Sequence, residues 1–154
     1  MRDLLNIAVF TVAVSVLYTA VAQVLPQLPN HPPANVELGS NIGPEELAEA
    51  GAKVFEKCSQ CHKLGESARA PDLGGIGMQA AGRAEERGPD FTDVDYLIES
   101  ICDPNAYIVP PYGRGGMTAM QSQLSGGQIL AVTAYLQTLG GEATVRGTDI
   151  KPLE

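Results

Sequence analysis

The sequence predicts an all-α protein of short helices and loops, preceded by one N-terminal transmembrane helix. A chain of 154 residues, 44% of them hydrophobic, has room for one domain with a modest core. Three segments repeat apolar residues at helical spacing, and no segment alternates apolar and polar residues as a half-buried strand would. The 17 glycines and 11 prolines indicate that loops interrupt these helices.

The segment from Leu4 to Leu25 contains no charged residue. As a helix it would extend roughly 33 Å at about 1.5 Å per residue, enough to cross a bilayer core of about 30 Å. A cleaved secretory signal is the alternative, because Ala20-Val21-Ala22 offers the small residues that a signal peptidase uses. The length of the apolar run favours an uncleaved transmembrane anchor over residues 1–25.

The charges around this span predict its orientation. Arg2 precedes it, and the next basic residue is Lys53. Because basic residues stay on the cytoplasmic side, we expect a cytoplasmic N-terminus in a bacterial inner membrane, with the rest of the chain on the periplasmic side. Thr, Ser and Gln recur at every fourth position from Thr11 to Gln23. This stripe either packs against other membrane helices or is merely tolerated in a span.

Residues 26–43 form a proline-rich linker. Such a segment favours extended polyproline II at about 3.1 Å per residue, a spacer of up to roughly 50 Å. His31 lies in it, and a lone histidine in such a linker is typically solvated rather than a ligand. We expect the globular domain over residues 44–141 and a C-terminal tail over residues 142–154.

The first two helices of the domain are predicted from their ends. Gly43 can cap a helix that begins with Pro44, and the apolar face of this helix reaches Cys58. Thr92 begins a TDVD tetrad that resembles a capping box, and Pro104 ends the helix that follows it.

The last helix has the clearest pattern. Ser125 and Gln128 form an S-x-x-Q capping box, an apolar stripe follows, and Gly140-Gly141 end the helix. The glycine-rich and proline-rich stretches Leu73–Gly77 and Val109–Gly116 are predicted as loops.

The decisive string is Cys58-Ser59-Gln60-Cys61-His62, the C-x-x-C-H signature of c-type haem attachment. Two thiols three positions apart lie on nearly adjacent faces of one helical turn, so they can add to the two vinyl groups along one haem edge. The histidine that follows then directs its imidazole at the iron. Attachment of this kind belongs to an exported compartment, where the N-terminal span also places the domain.

Haem-free interpretations of the two cysteines fit less well. A thioredoxin-like dithiol follows a strand and begins a helix, whereas this pair ends one. A structural zinc site needs four ligands, and no second paired C-x-x-C or H-x-x-H is present. A disulfide between Cys58 and Cys61 would close too small a loop to stabilise much. A dithiol or zinc module therefore stays only as an alternative.

Elimination leaves methionine as the second axial ligand, since the other histidine lies in the linker. Met78 is close to His62 along the chain, in the predicted loop after the attachment turn. Met117 and Met120 lie in a glycine-rich loop before the last helix, better placed to reach the opposite haem face. His/Met ligation raises the reduction potential and saturates the iron, which suits electron transfer.

On these residues the chain resembles the class I, monohaem cytochrome c family, from roughly Glu45 to Gly141. The matching motifs are Gly51 and Phe55 before CSQCH, Ala70-Pro71-Asp72-Leu73, YLIESICDPNAYIV from Tyr96, and LSGGQILAVTAYL from Leu124. In that family the ligand is the methionine of an M-P-x-Φ-x-x-x-L element. Met117 keeps this spacing to Leu124, Thr118 replaces the proline, and Met120 is the alternative ligand.

The resemblance implies a class I cytochrome c fold around one covalently bound haem c. It implies that the Pro71 carbonyl accepts a hydrogen bond from His62, and that Gly51 and Phe55 pack against Tyr135. It also implies a haem-pocket role for three residues that flank the methionine loop, with ordinary packing or solvation as the alternative: Tyr107, Tyr112 and Arg114. Cys102, on an apolar helical face, is expected to be buried.

The function that follows is single-electron transfer by a subunit of a respiratory or photosynthetic complex, an electron carrier rather than an enzyme. A haem-based sensor or a peroxidase-like domain with a labile methionine ligand is the alternative. The net charge of −8 and the pI of about 4.7 argue against nucleic-acid binding and favour an electropositive redox partner.

Overall fold

The structure is a computed structural model that describes residues 1–24 and 41–149. The predicted linker beyond Val24, its His31 and the last five residues of the tail lie outside the described residues. The chain divides into two compact units, of which the first contains helix α1 (Arg2–Val24). This helix is long and apolar enough to cross a membrane by length and composition, a test that N-terminal signal sequences also pass.

Three hydroxyl groups of the polar stripe on α1 are used within the helix itself. Thr11 Oγ1 donates to the carbonyl of Ile7, Ser15 Oγ to that of Thr11, and Thr19 Oγ1 to that of Ser15, at 2.8–2.9 Å. Because each hydroxyl already has an acceptor one turn earlier, these side chains can lie in an apolar environment without an unsatisfied donor.

Residues 41–149, in the second unit, contain four α-helices, three of which confirm the predicted ones. They are α2 (Pro44–Phe55), α4 (Asp93–Cys102) and α5 (Gly126–Thr138). Gly43 is the N-cap of α2, while Thr92 and Ser125 form the capping boxes that their sequences predict. Residues 41–149 contain no β-strand, and two short 3₁₀ helices cover Met120–Ser122 and Gly147–Asp149.

The predicted loop over Leu73–Gly77 ends earlier than expected, because helix α3 (Ile76–Glu85) already includes Ile76 and Gly77. Gly75 precedes the helix with a left-handed φ of +75°, and Gly77 lies inside it against the backbone of Gln137. A Cβ at Gly77 would overlap the carbonyl of Gln137. These glycines therefore make a tight helix start and a close helix contact, rather than a loop.

The core forms where α2 crosses α5. A Cβ at Gly51 would overlap the carbonyl of Ala131, so only glycine allows the two backbones to approach this closely. One turn further, the ring centroids of Phe55 and Tyr135 lie 5.0 Å apart. This is the packing that the resemblance implies, and it sets the direction in which α2 delivers the residues after Phe55. Cys102 is buried in the larger core cluster, as expected.

The described part of the predicted C-terminal tail packs on the helices through Ala143 and Val145. Val145 is 1% exposed and lies in a second apolar cluster with Leu47 and Leu130. The buried amide of Gln137 accepts hydrogen bonds from the backbone N–H groups of Thr144 and Val145 and donates to the Asp93 carboxylate and the Thr144 hydroxyl. A fully satisfied buried amide thus joins this segment to α4 and α5.

Candidate haem-binding site

The C-x-x-C-H string continues the helical path of α2. The N–H of Cys58 donates to the carbonyl of Phe55 at 2.8 Å, and the N–H groups of Cys61 and His62 both donate to the carbonyl of Cys58 at 3.0 and 2.9 Å. These bonds hold both thiols and the imidazole on one turn. Cys58 is half-buried against the larger core cluster, whereas Cys61 is exposed. The turn therefore lies at the edge of the core, with Cys58 against the core and Cys61 exposed to solvent.

The environment of Cys58 is apolar. Burial raises the pKa of its thiol above the ordinary cysteine value. The charge of Lys57 lowers this pKa by a smaller amount, and Cys61 raises it slightly further. Redox-active C-x-x-C pairs depend instead on a lowered thiol pKa. The raised pKa of Cys58 is the opposite of this direction. Among residues 1–24 and 41–149, no three His, Cys, Asp or Glu side chains group as metal ligands.

The imidazole of His62 is oriented by the loop that follows it. Its Nδ1 lies 2.9 Å from the carbonyl oxygen of Pro71, the hydrogen bond that the resemblance implies. A carbonyl can only accept, so Nδ1 carries the proton and a neutral ring keeps the lone pair on Nε2. This is the tautomer that a metal-ligating histidine needs, with its second nitrogen bound to a backbone acceptor.

The loop between His62 and α3 is held by one carboxylate. Asp72 Oδ1 accepts from the N–H groups of Gly65 and Gly74, both at 2.7 Å, and these two bonds lower the pKa of Asp72. The Asp72 N–H donates to Ser67 Oγ at 3.4 Å. Asp72 has no predicted role of its own, although an aspartate two residues before a glycine is a recognisable turn signal.

The three candidate methionine ligands lie in different settings. Met78 lies on α3 with 71% of its surface exposed, which corrects its placement in a loop. Met120 begins the 3₁₀ helix Met120–Ser122 and packs against the larger core cluster. Met117 is half-buried in the preceding loop. Two residues before it, the N–H of Gly115 donates to Asn105 Oδ1 at 2.9 Å, a support that the sequence analysis missed.

The three residues that flank the methionine loop lie in different surroundings. The hydroxyl of Tyr112 donates to the carbonyl of Ala70 at 3.1 Å, directly before Pro71. The hydroxyl of Tyr107 donates to Glu86 at 3.0 Å, a bond that raises the pKa of Tyr107. Arg114 is exposed. The structure therefore brings Tyr112 to the His62 loop, while it joins Tyr107 to the end of α3.

The residues around the attachment turn fit a covalently held haem. The donor set consists of two thiols and an oriented imidazole on one turn. Several apolar side chains next to the larger core remain partly exposed, as is needed to contact a large planar apolar group. They are Cys58, Leu73, Phe91, Ile98, Tyr107, Met120, Tyr135 and Leu139.

An all-α domain that combines such a turn with a backbone-oriented histidine defines the class of c-type haem domains. Residues 48–140, more than half of the chain, match the family model described as cytochrome c, so the chain belongs to the cytochrome c family. Family membership implies covalently bound haem c. A stretch of 40 residues is 48% identical to cytochrome c2 of Rhodoblastus acidophilus. This match covers 24% of this chain and 37% of the length of that relative.

Proposed function

We propose that this protein is a membrane-anchored electron carrier whose haem c is ligated by His62 and Met117. The observation that carries the proposal is the hydrogen bond between His62 and Pro71 next to the two cysteines on one helical turn. Bound haem c supplies the one-electron redox chemistry of its iron. Membership of the cytochrome c family supports haem-based electron transfer as the activity.

The proposal gives each residue of the site a separate task. Cys58 and Cys61 would hold the cofactor through thioether bonds, and His62 would offer its Nε2 as a ligand of the iron. Met117 would add a soft, neutral sulfur, a type of ligand that favours the reduced state. The Pro71 carbonyl keeps the His62 ring in one orientation and increases its basicity.

Replacement of both attachment cysteines, Cys58→Ala and Cys61→Ala, is expected to remove covalent haem from the purified chain. When both thiols are absent, no thioether bond can form. A pyridine haemochrome assay and the mass of the denatured protein measure this, because wild type should carry the added mass of one haem after denaturation. A wild-type chain without that mass would contradict the proposed function.

Cys102→Ala is the matched control for this experiment. Cys102 is the third cysteine, buried in the core on α4, and burial raises the pKa of its thiol. It has no place in the attachment turn, so its replacement should leave one covalent haem per chain. Loss of haem in Cys102→Ala to the same extent would mean that the cysteine variants act through folding rather than through attachment.

We further propose that α1 is an uncleaved anchor, with the N-terminus in the cytoplasm and the haem domain on the periplasmic side of a bacterial inner membrane. The apolar side chains of α1 are exposed along its length, and the hydroxyl groups of Thr11, Ser15 and Thr19 are satisfied within the helix. Such a surface is unfavourable in water and suits lipid or the apolar faces of other membrane helices.

The full-length protein is expected to stay with membranes after salt and alkaline washes, and its intact mass should include residues from Met1. Deletion of residues 2–24 behind a cleavable export signal should release the haem domain into the periplasmic fraction. An intact mass that begins directly after Ala22 would contradict the anchor and identify the segment as a signal peptide.

The proposed partner is an electropositive protein, within a respiratory or photosynthetic complex. Arg2 and Asp3 cancel, so the chain after them carries the whole net charge of −8. Exposed carboxylates lie at the start of α2, at Glu45, Glu46 and Glu49, and beside α4. Complementary charge would speed docking of a basic partner.

Gentle purification from membranes, followed by mass spectrometry of associated subunits, tests the membership of a complex.

A further inference from the structure

The Pro71 carbonyl, which accepts the hydrogen bond from His62, is held by its neighbours on both sides along the chain. On one side, the Tyr112 hydroxyl donates to the carbonyl of Ala70 at 3.1 Å. On the other side, the Asp72 carboxylate accepts from Gly65 and Gly74 at 2.7 Å each. The acceptor of the His62 proton thus lies between two anchored residues.

Proline makes this anchoring effective. Its ring restricts φ to about −65°, and the peptide bond before it is planar. If the carbonyl of Ala70 and the residue after Pro71 are both held, little freedom remains for the Pro71 carbonyl itself. Its oxygen can then stay at 2.9 Å from His62 Nδ1 without a direct support of its own.

Tyr112 joins two loops that are far apart in sequence. It lies five residues before Met117, in the loop whose Gly115 is bound by Asn105. Its acceptor, Ala70, belongs to the loop after the attachment turn. One hydroxyl therefore connects the loop of the proposed methionine ligand to the loop that orients the proposed histidine ligand.

We propose that Tyr112 and Asp72 are positioning residues for His62, which together brace the Pro71 carbonyl, and that Tyr112 couples this brace to the methionine loop. The inference rests on the proposed function, because it concerns the support of an axial ligand. It assigns the Tyr112 hydroxyl to the protein backbone instead of to a haem propionate. The brace holds the His62 ring in one orientation and keeps its Nδ1 proton engaged.

The test is hydrogen exchange of the His62 Nδ1 proton, measured by NMR on the reduced, haem-loaded full chain in detergent. Exchange requires the hydrogen bond to Pro71 to open. Tyr112→Phe removes only the hydroxyl and should accelerate exchange about fivefold, the order expected for the loss of one hydrogen bond. Asp72→Asn, which weakens two charge-assisted bonds, should act in the same direction. Both variants should raise the reduction potential, since a weaker hydrogen bond makes His62 less basic.

Tyr96→Phe is the matched control. The Tyr96 hydroxyl accepts a hydrogen bond from Arg83 at 2.9 Å, and its ring is buried between α3 and α4. The substitution removes one hydroxyl hydrogen bond without touching the loop of Pro71. Exchange of the His62 proton should therefore match wild type, even if this variant and Tyr112→Phe lose the same amount of thermal stability.

The outcomes separate the brace from the proposed function. Wild type without covalent haem overturns the proposed function, and the brace with it. Haem-loaded Tyr112→Phe with wild-type exchange overturns the brace alone, and a changed potential at unchanged exchange would assign the hydroxyl to a propionate. If Tyr112→Phe does not take up haem, Asp72→Asn decides: wild-type exchange in that variant overturns the brace.

Discussion

Met117→Ala is expected to abolish the low-spin His/Met absorption signature of the haem-loaded protein and to lower its reduction potential. Met117 is half-buried in the loop between α4 and α5, outside the apolar core clusters. Loss of a soft sulfur ligand destabilises the reduced iron and opens a coordination position. Optical spectra of both oxidation states and a redox titration measure the change.

Met120→Ala is the matched comparison. Met120 packs against the larger core cluster at the start of its 3₁₀ helix, so its truncation should cost about 1–2 kcal/mol of stability for a partly buried side chain. The His/Met signature should survive. The reverse pattern would assign the ligand to Met120. A ferric wild type that is high-spin or binds small ligands would favour the sensor or peroxidase-like function over electron transfer.

Gly51→Val is expected to have the largest effect on folding. A Cβ at this position would overlap the Ala131 carbonyl and lie 2.9 Å from the Cβ of Tyr135, so α2 would have to move away from α5. Overpacking of this kind costs typically about 1–3 kcal/mol, and a branched side chain against backbone belongs at or above the upper end. Urea unfolding of the haem-loaded full chain in detergent measures the loss.

Displacement of α2 should also reach the haem site. The turn from Cys58 to His62 continues α2 through backbone hydrogen bonds, and Phe55 packs on Tyr135 one turn before it. The surviving folded fraction of Gly51→Val is therefore expected to carry less covalent haem. Full loading at unchanged stability would show that the helices tolerate separation at this crossing.

Gly82→Ala is the control for glycine replacement in a helix. Gly82 lies within α3, and a Cβ there meets nothing within 4 Å. Alanine should stabilise the helix by about 0.5–1 kcal/mol, because it loses less backbone entropy on folding. A lower free energy of unfolding for Gly51→Val and a higher one for Gly82→Ala would distinguish the effect of close helix packing from that of helix propensity.

Local sequence patterns were sufficient for three of the four helices in the haem domain. Thr92 and Ser125 begin helices because their side chains, with those of Asp95 and Gln128, satisfy backbone N–H groups within one turn. Pro44 begins α2 because its fixed φ suits the first helical position. Such signals act between residues a few positions apart, so they can be recognised without knowing the fold.

Helix α3 could not be predicted in the same way. LGGIG resembles a loop because glycine lowers helix propensity at every position where it occurs. Gly77 is nevertheless helical, because its missing side chain admits the backbone of Gln137, a contact between residues distant in sequence. The burial of Val145 in the segment after α5 depends on the same kind of long-range contact, with Leu47 and Leu130.

The sequence by itself determined the chemistry of this protein: a C-x-x-C-H turn, which indicates covalent haem, and short capped helices around it. These features depend on residue identity and on spacing within single turns. Only the tertiary structure decided which groups support that chemistry. Tyr112 meets Ala70 because two loops far apart in sequence lie side by side, and Asn105 meets Gly115 across ten residues of the segment before Met117. Hydrogen bonds of this kind depend on distances of about 3 Å, which exist only once the helices have packed.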